Sequence, residues 1–174
     1  MKKNCLHLLL ILVLTACGQG SKKQDDQQDT TIKTEEIDPG SIPGIDKVPI
    51  TDTISLQAND DMHFDKELFK IKSNQKIVLR LKNIGSQKGM PMSHNVVILN
   101  KGTDITTFAD EARNAKSENY IPSKLASSII AHTKQVSAGE SDETTFTISK
   151  AGVYTFICSF PGHWGSMQGQ IVVE

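Results

Sequence analysis

Neither charge is in excess in this chain: 19 Lys and Arg stand against 20 Asp and Glu over 174 residues. There is thus no electrostatic reason to expect a nucleic-acid partner. No internal repeat, Gly-rich phosphate loop, Cys-x-x-Cys pair or His-Glu-x-x-His motif occurs. The first excludes solenoids, and the other three exclude the commonest nucleotide, dithiol and zinc-protease chemistries. Long apolar runs are also missing. The longest, Leu6 to Ala16, falls short of the roughly 20 residues that span a bilayer. Cysteine is scarce, with only Cys5, Cys17 and Cys158.

What is present begins at the N-terminus. Lys2 and Lys3 precede the short apolar run, the layout of a secretory signal peptide. The run ends in Leu14-Thr15-Ala16-Cys17, which resembles a bacterial lipobox. This predicts a signal peptide over 1–16 and a mature chain that starts at a lipidated Cys17. The protein would be anchored to a bacterial membrane, in the cell envelope and facing the periplasm, rather than spanning the bilayer. Cys158 is then the only thiol left. A lone thiol in an exported protein calls for an explanation, and a metal ligand is one. Residues 18 to about 49 are polar, with Asp38-Pro39-Gly40 and Ile42-Pro43-Gly44 as turn-like interruptions. The stretch 17–50 is therefore expected to be the lipidated cysteine and a disordered tether.

From residue 51 to 174 the pattern is that of a β protein. Ile77, Leu79 and Leu81 alternate with basic residues, and Thr145-Phe146-Thr147-Ile148 alternates likewise. Val96–Leu99 and Val153–Ile157 are apolar enough for central strands. Turn signals separate them at Asn83–Ser86, Asn100–Gly102, Ala138–Glu140 and Ala151-Gly152. Many short strands predict an all-β sandwich or barrel. Ile105, Phe108, Ala109, Ala112 and Lys116 instead have helical spacing, with Thr103 or Asp104 as cap, and predict a short inserted helix over about 105–117 that covers one end of the sandwich.

The segment that carries chemistry runs from Cys158 to Met167. Cys-x4-His-x3-Met sets a thiolate (Cys158), an imidazole (His163) and a thioether (Met167) on one loop, which Pro161 and Gly162 let fold back. Soft sulfur with imidazole favours copper, and a His2Cys set with a weak axial Met is a blue-copper site. The second histidine has to come from another strand end. His94, at the start of the apolar run 96–99, is the candidate. His63 and His132 form no cluster and are read as surface residues.

Taken in order, Asn59–Phe64, Met92-Ser93-His94-Asn95, Ile130–Lys134 with Gly139-Glu140, and Cys158–His163 with Met167 resemble the azurins, members of the cupredoxin or blue-copper family. The likeness covers residues 51–174. It implies a Greek-key cupredoxin sandwich and one type 1 copper, Cu(I)/Cu(II), with His94, Cys158 and His163 as equatorial ligands and Met167 as axial ligand. It also implies a distant contact from the carbonyl of Ser93, where the family has Gly. Asn95 is expected to link the two ligand loops, and the amides of Asn95 and Phe160 to donate to the Cys158 sulfur. The chain departs from the family elsewhere too. It lacks the cysteines for the azurin disulfide, a loss of about 2–4 kcal/mol on chain-entropy grounds. Trp164 stands where azurins have a small residue, and Val96 where some have a buried aromatic.

Four protein ligands with no open position suit electron transfer rather than catalysis. The expected function is therefore single-electron shuttling, not an enzymatic one. Partners such as c-type cytochromes or copper reductases would meet the His163 edge through an apolar docking patch of Met92, Phe160, Pro161 and Trp164. The competing function is copper buffering or delivery to an envelope cuproenzyme, which would call for an exposed, exchangeable site.

Overall fold

The computed structural model describes residues 37–86 and 92–174. The expected signal peptide, Cys17, the first part of the tether, Met90 and Pro91 lie outside the described residues. Eight strands appear among them: β1 (Thr53–Ala58), β2 (Leu68–Ile71), β3 (Ile77–Asn83), β4 (Val97–Leu99), β5 (Ile129–His132), β6 (Ser141–Phe146), β7 (Gly152–Ile157) and β8 (Gln168–Val173). They form two sheets, ordered β1-β3-β6 and β2-β8-β7-β4-β5. The chain passes repeatedly from one sheet to the other, which gives the β-sandwich that the strand pattern predicts, of the kind that the resemblance implies. β1 runs parallel to β3 and β2 parallel to β8, while the other pairs are antiparallel.

Alternation explains the core. Ile54 and Leu56 from β1, Ile77, Leu79 and Leu81 from β3, and Tyr154, Phe156, Ile171 and Val173 from the facing sheet meet in one buried cluster. The run at β4 is apolar throughout because both its faces are covered. Val96 and Ile98 enter the main core, whereas Val97 and Leu99 join Ile157, Phe108 and Ala112 in a second cluster. Phe108 and Ala112 belong to the inserted helix, α1 (Ile105–Asn114). Asp104 caps it by accepting from the Thr107 amide at 2.7 Å. The helix stops three residues before the expected end: Ala115 donates to Ala112, and the chain tightens into a 3-10 turn over Lys116–Glu118.

Three other boundaries differ from expectation. β6 begins at Ser141 and ends at Phe146, so only half of the predicted 145–148 strand belongs to it. Its remaining residues are too polar and exposed for a periodicity signal. Gly152, predicted as a turn, opens β7. The folded part also starts earlier than residue 51. Residues 39–48 form two 3-10 turns that bury Ile42 and Ile45 against Val172, beside Val48, Leu68 and Val153. Isoleucines three apart in a polar stretch give no pattern that would reveal this docking.

Register decides where the chemistry falls. Val97 pairs with both His132 and Ile157, and Ile157 pairs with Gln168. The start of β4, the end of β7 and the start of β8 therefore lie together, bringing His94, Cys158 and Met167 to one end of the sandwich.

Candidate metal centre

His94 is fixed by its backbone. Its amide donates to the Val136 carbonyl at 3.0 Å, and the Val136 amide returns a bond at 2.8 Å. Just ahead of it, the buried Asn83 side chain donates to the carbonyls of Met92 (2.8 Å) and Val136 (3.1 Å) and accepts from the Gly85 amide. Behind it, Thr133 Oγ1 accepts from the Val96 amide at 3.0 Å. In the sequence Asn83 falls in a turn signal and Thr133 in the Ile130–Lys134 likeness, and neither reading gives it this role. Both are fully buried and hold the approach to His94.

The second ligand segment is tied to itself. The Cys158 amide donates to the Met167 carbonyl, the His163 amide to Phe160, and the Ser166 and Met167 amides to His163, all within 3.1 Å. Gly162 makes the reversal possible at φ +86°, a conformation costly for any residue with a Cβ. Gly169 lets β8 pass close to its neighbours: a Cβ there would lie 2.4 Å from the Glu67 carbonyl. The two segments are joined as the resemblance implies. Asn95 Oδ1 accepts from the Ser159 amide and Asn95 Nδ2 donates to Ser159 Oγ, both at 2.9 Å.

The ligand atoms of His94, Cys158 and His163 converge within 4.8 Å of one another, and all three residues are buried. Cys158 Sγ is 3.7 Å from His163 Nδ1, and the two imidazole rings are 5.0 Å apart. Cys158 is a free cysteine. Burial pushes its thiol up to about 11, against which the amides of Asn95 and Phe160 pull towards the thiolate. Burial, helped by the neighbouring His94, pushes His163 down to about 4. His94 is also lowered by burial, with the Asp60 carboxylate and the Asn59 carbonyl opposing. Both histidines are thus neutral near pH 7, the form that binds metal.

These residues fit a copper ion. Neither ring nitrogen of His94 makes a well-aligned hydrogen bond among the described residues, although both are buried and the Asn59 carbonyl lies near enough to act on the ring. An unpaired buried imidazole is expensive, and a metal bond removes the cost at one nitrogen. The donor set, two imidazoles and one thiol, is the equatorial set of a blue-copper site. Met167 is fully buried, and its backbone is bonded to both Cys158 and His163. Ser93 is half-buried next to His94. His63 and His132 are exposed and stand outside the cluster.

The expected docking patch is less uniform. Met92, Phe160 and Pro161 are half-buried around the site. Trp164 is half-buried as well, but it packs against the second cluster under α1, so part of its ring is committed inward rather than spread over the surface.

The fold and this donor set define a blue-copper centre in a cupredoxin, and known proteins agree. The model of copper-binding proteins of the plastocyanin/azurin family matches residues 51–174. Azurin from Alcaligenes faecalis is 34% identical over 122 residues, covering 68% of this chain and 94% of the relative. Azurin from Achromobacter denitrificans is 36% identical over 122 residues, covering 67% and 80%. Among solved structures, reduced auracyanin from Roseiflexus castenholzii superposes with a TM-score of 0.65 at 30% identity, covering 72% of this chain and 99% of that one. Auracyanin A, a blue copper protein from Chloroflexus aurantiacus, gives 0.62 at 29% identity, covering 72% and 100%. The chain belongs to the plastocyanin/azurin family of copper-binding proteins, with a type 1 copper site built on His94, Cys158 and His163.

Proposed function

We propose that this protein is a one-electron carrier of the bacterial cell envelope, held on the periplasmic face by a lipid on Cys17. Its partners in this reading are redox proteins such as c-type cytochromes or copper reductases. The observation that carries it is the burial and internal bonding of the donor set: His94 and Cys158 are 0% exposed and His163 is 4% exposed. Bound copper supplies a Cu(II)/Cu(I) couple. The chain does the rest. Its backbone bonds hold the donors in nearly one arrangement, which keeps reorganisation small, and the Asn95 and Phe160 amides stabilise charge on the sulfur. Met167 would supply a weak thioether donor to the ion, and Ser93 a carbonyl oxygen. Of the three clustered donors only His163 reaches the surface, so its edge is the point of exchange. Met92, Phe160 and Pro161, with the outer part of Trp164, form the rim that a partner covers.

The test is a visible spectrum of the Cu(II)-loaded protein, followed by its rate of reduction by a c-type cytochrome. An intense thiolate-to-copper band and rapid, reversible reduction are expected. Loss of copper to a chelator faster than it can be cycled would overturn electron carriage in favour of copper delivery. The mass of the mature protein, compared with a Cys17→Ala variant, tests the anchor separately.

A further inference from the structure

Four non-glycine residues among those described have left-handed backbones: Met62 (φ 57°), Asn74 (φ 59°), Asn119 (φ 54°) and Tyr120 (φ 61°). Asparagine tolerates this region. Methionine and tyrosine do not, and they stay there only where the surroundings over-determine them. Met62 lies in the β1–β2 connection and Tyr120 between α1 and β5. They are far apart in sequence, yet their carbonyls do the same thing. Ser159 Oγ donates to the Tyr120 carbonyl at 2.7 Å, and Ser166 Oγ donates to the Met62 carbonyl at 2.8 Å.

The two serines stand at opposite ends of the ligand loop. Ser159 follows Cys158, and Ser166 lies between His163 and Met167. Each strained carbonyl is itself set by a local turn: the Met62 amide donates to Asn59 and the Tyr120 amide to Ala115. On the Tyr120 side ring packing adds a second grip, because its ring meets Phe160 edge-on at 5.1 Å and Phe160 lies 4.7 Å from the His163 ring. Ser166 Oγ is also within 3.4 Å of the His163 carbonyl, so on the other side the same hydroxyl reaches both the clamp and the ligand residue.

We propose that Ser159 and Ser166 are positioning residues that clamp the ligand loop to strained carbonyls at Tyr120 and Met62, holding the His163 and Met167 donors in place before metal arrives. The inference takes the copper centre as its premise but concerns the metal-free loop. The strain is tolerated because it turns two carbonyls onto that loop. Without the clamps the loop keeps its internal bonds but loses its attachment to the two neighbouring connections.

The experiment compares Ser159→Ala, Ser166→Ala and the double variant in the full chain, with Ser159→Thr and Ser166→Thr as rescues. Amide hydrogen exchange is read across 160–167 and across β1 and β3 in the metal-free protein, and copper release to a chelator in the loaded one. Ser159→Ala removes two buried bonds, to the Tyr120 carbonyl and from Asn95 Nδ2, and should speed exchange in the loop at least about tenfold; Ser166→Ala removes an exposed bond that water can replace, and should speed it about threefold. The double variant should approach the product of the two. Exchange in β1 and β3 should not move, copper release should quicken in parallel, and threonine should restore both readings. Unchanged exchange over 160–167, or an equal rise in β1 and β3, would overturn the clamp. If the wild type forms no blue band, the copper premise fails, while exchange in the metal-free protein still decides the clamp.

Discussion

At the end of the sandwich remote from the ligands, Ile42 and Ile45 close against Val172 through apolar contact. At the ligand end the buried residues are of another kind: Asn83, His94, Asn95, Thr133, Ser159 and His163 make up the buried polar set among the described residues. The body of the domain is held by non-directional burial, which accepts many side chains of similar size. The ligand end is held by directional bonds, each of which needs one particular donor facing one particular acceptor. Burying six polar residues together lowers stability unless each finds a partner. Here partners are found for all but His94, whose two ring nitrogens lack a well-aligned hydrogen bond, while His163 Nδ1 meets the Cys158 sulfur at 3.7 Å. Metal therefore completes the ligand end, whereas the body is complete without it.

The sharpest way to break this division is Cys158→Ala. It should abolish the blue band altogether, yet change metal-free stability by less than about 1.5 kcal/mol, because alanine nearly fills the space. Collapse of the metal-free fold, seen by thermal unfolding, would show that the ligand end also carries the body. Phe108→Ala is the converse. This ring is fully buried under α1, and its loss should cost about 3–5 kcal/mol in chemical denaturation. The position of the blue band should stay where it is. A shift would mean that the second cluster, through Ile157 and Trp164, reaches the copper.

The same division explains what could be read from residues alone. Burial leaves a period in the sequence, and so β3, β4, β7 and α1 were visible as alternating, continuous or helical apolar runs. The ligand loop was visible because Cys158, His163 and Met167 are close in sequence and chemically unusual together. His94 needed the apolar strand after it and the family likeness. The partners of these residues left no such trace. Asn83 resembles any turn asparagine, and its worth depends on Met92 and Val136 being within reach. Ser166 and Tyr120 matter through hydrogen bonds to distant backbone, which no local spacing encodes. Ile42 and Ile45 were missed for the opposite reason: two apolar residues are too few to make a period.

Acidity separates the two ends by a smaller amount. With the Cys158 thiol at about 11 and His163 at about 4, the metal-free site near pH 7 holds one proton that metal must expel. Zn(II) loading at pH 7 should therefore release one proton per ion into a weakly buffered indicator. Apparent affinity should fall about tenfold per unit from pH 8 to pH 6, or about 2.7 kcal/mol in all. Release of no proton would mean a thiolate already present. Histidine acts on the fold with its own sign. Because the folded pKa of His163 is depressed, the unfolded chain takes up the proton first. Metal-free stability should hold above about pH 6.5 and decline as pH falls towards 4, with His94 acting in the same direction.

Asn83 offers the finest test, because it belongs to a strand of the body and serves the ligand end. Asn83→Ala removes the donor to the Met92 and Val136 carbonyls and the acceptor for the Gly85 amide. The cost should be about 1–3 kcal/mol of metal-free stability, the range for buried groups left unpaired. If the residue serves His94, metal affinity should also fall, by roughly three- to tenfold, since the approach to that ligand loses its tether. Asn83→Asp distinguishes a lost bond from a lost shape. It keeps the size and the acceptor, but it turns a carboxylate oxygen towards two carbonyls. Stability should therefore run wild type, then alanine, then aspartate, measured by denaturant midpoint at constant slope. Equal loss in both variants would point to the missing amide donor alone, and loss in alanine without loss in aspartate would point to packing. A stability loss with unchanged metal affinity would assign Asn83 to the body and move the boundary between the two ends up to His94 itself.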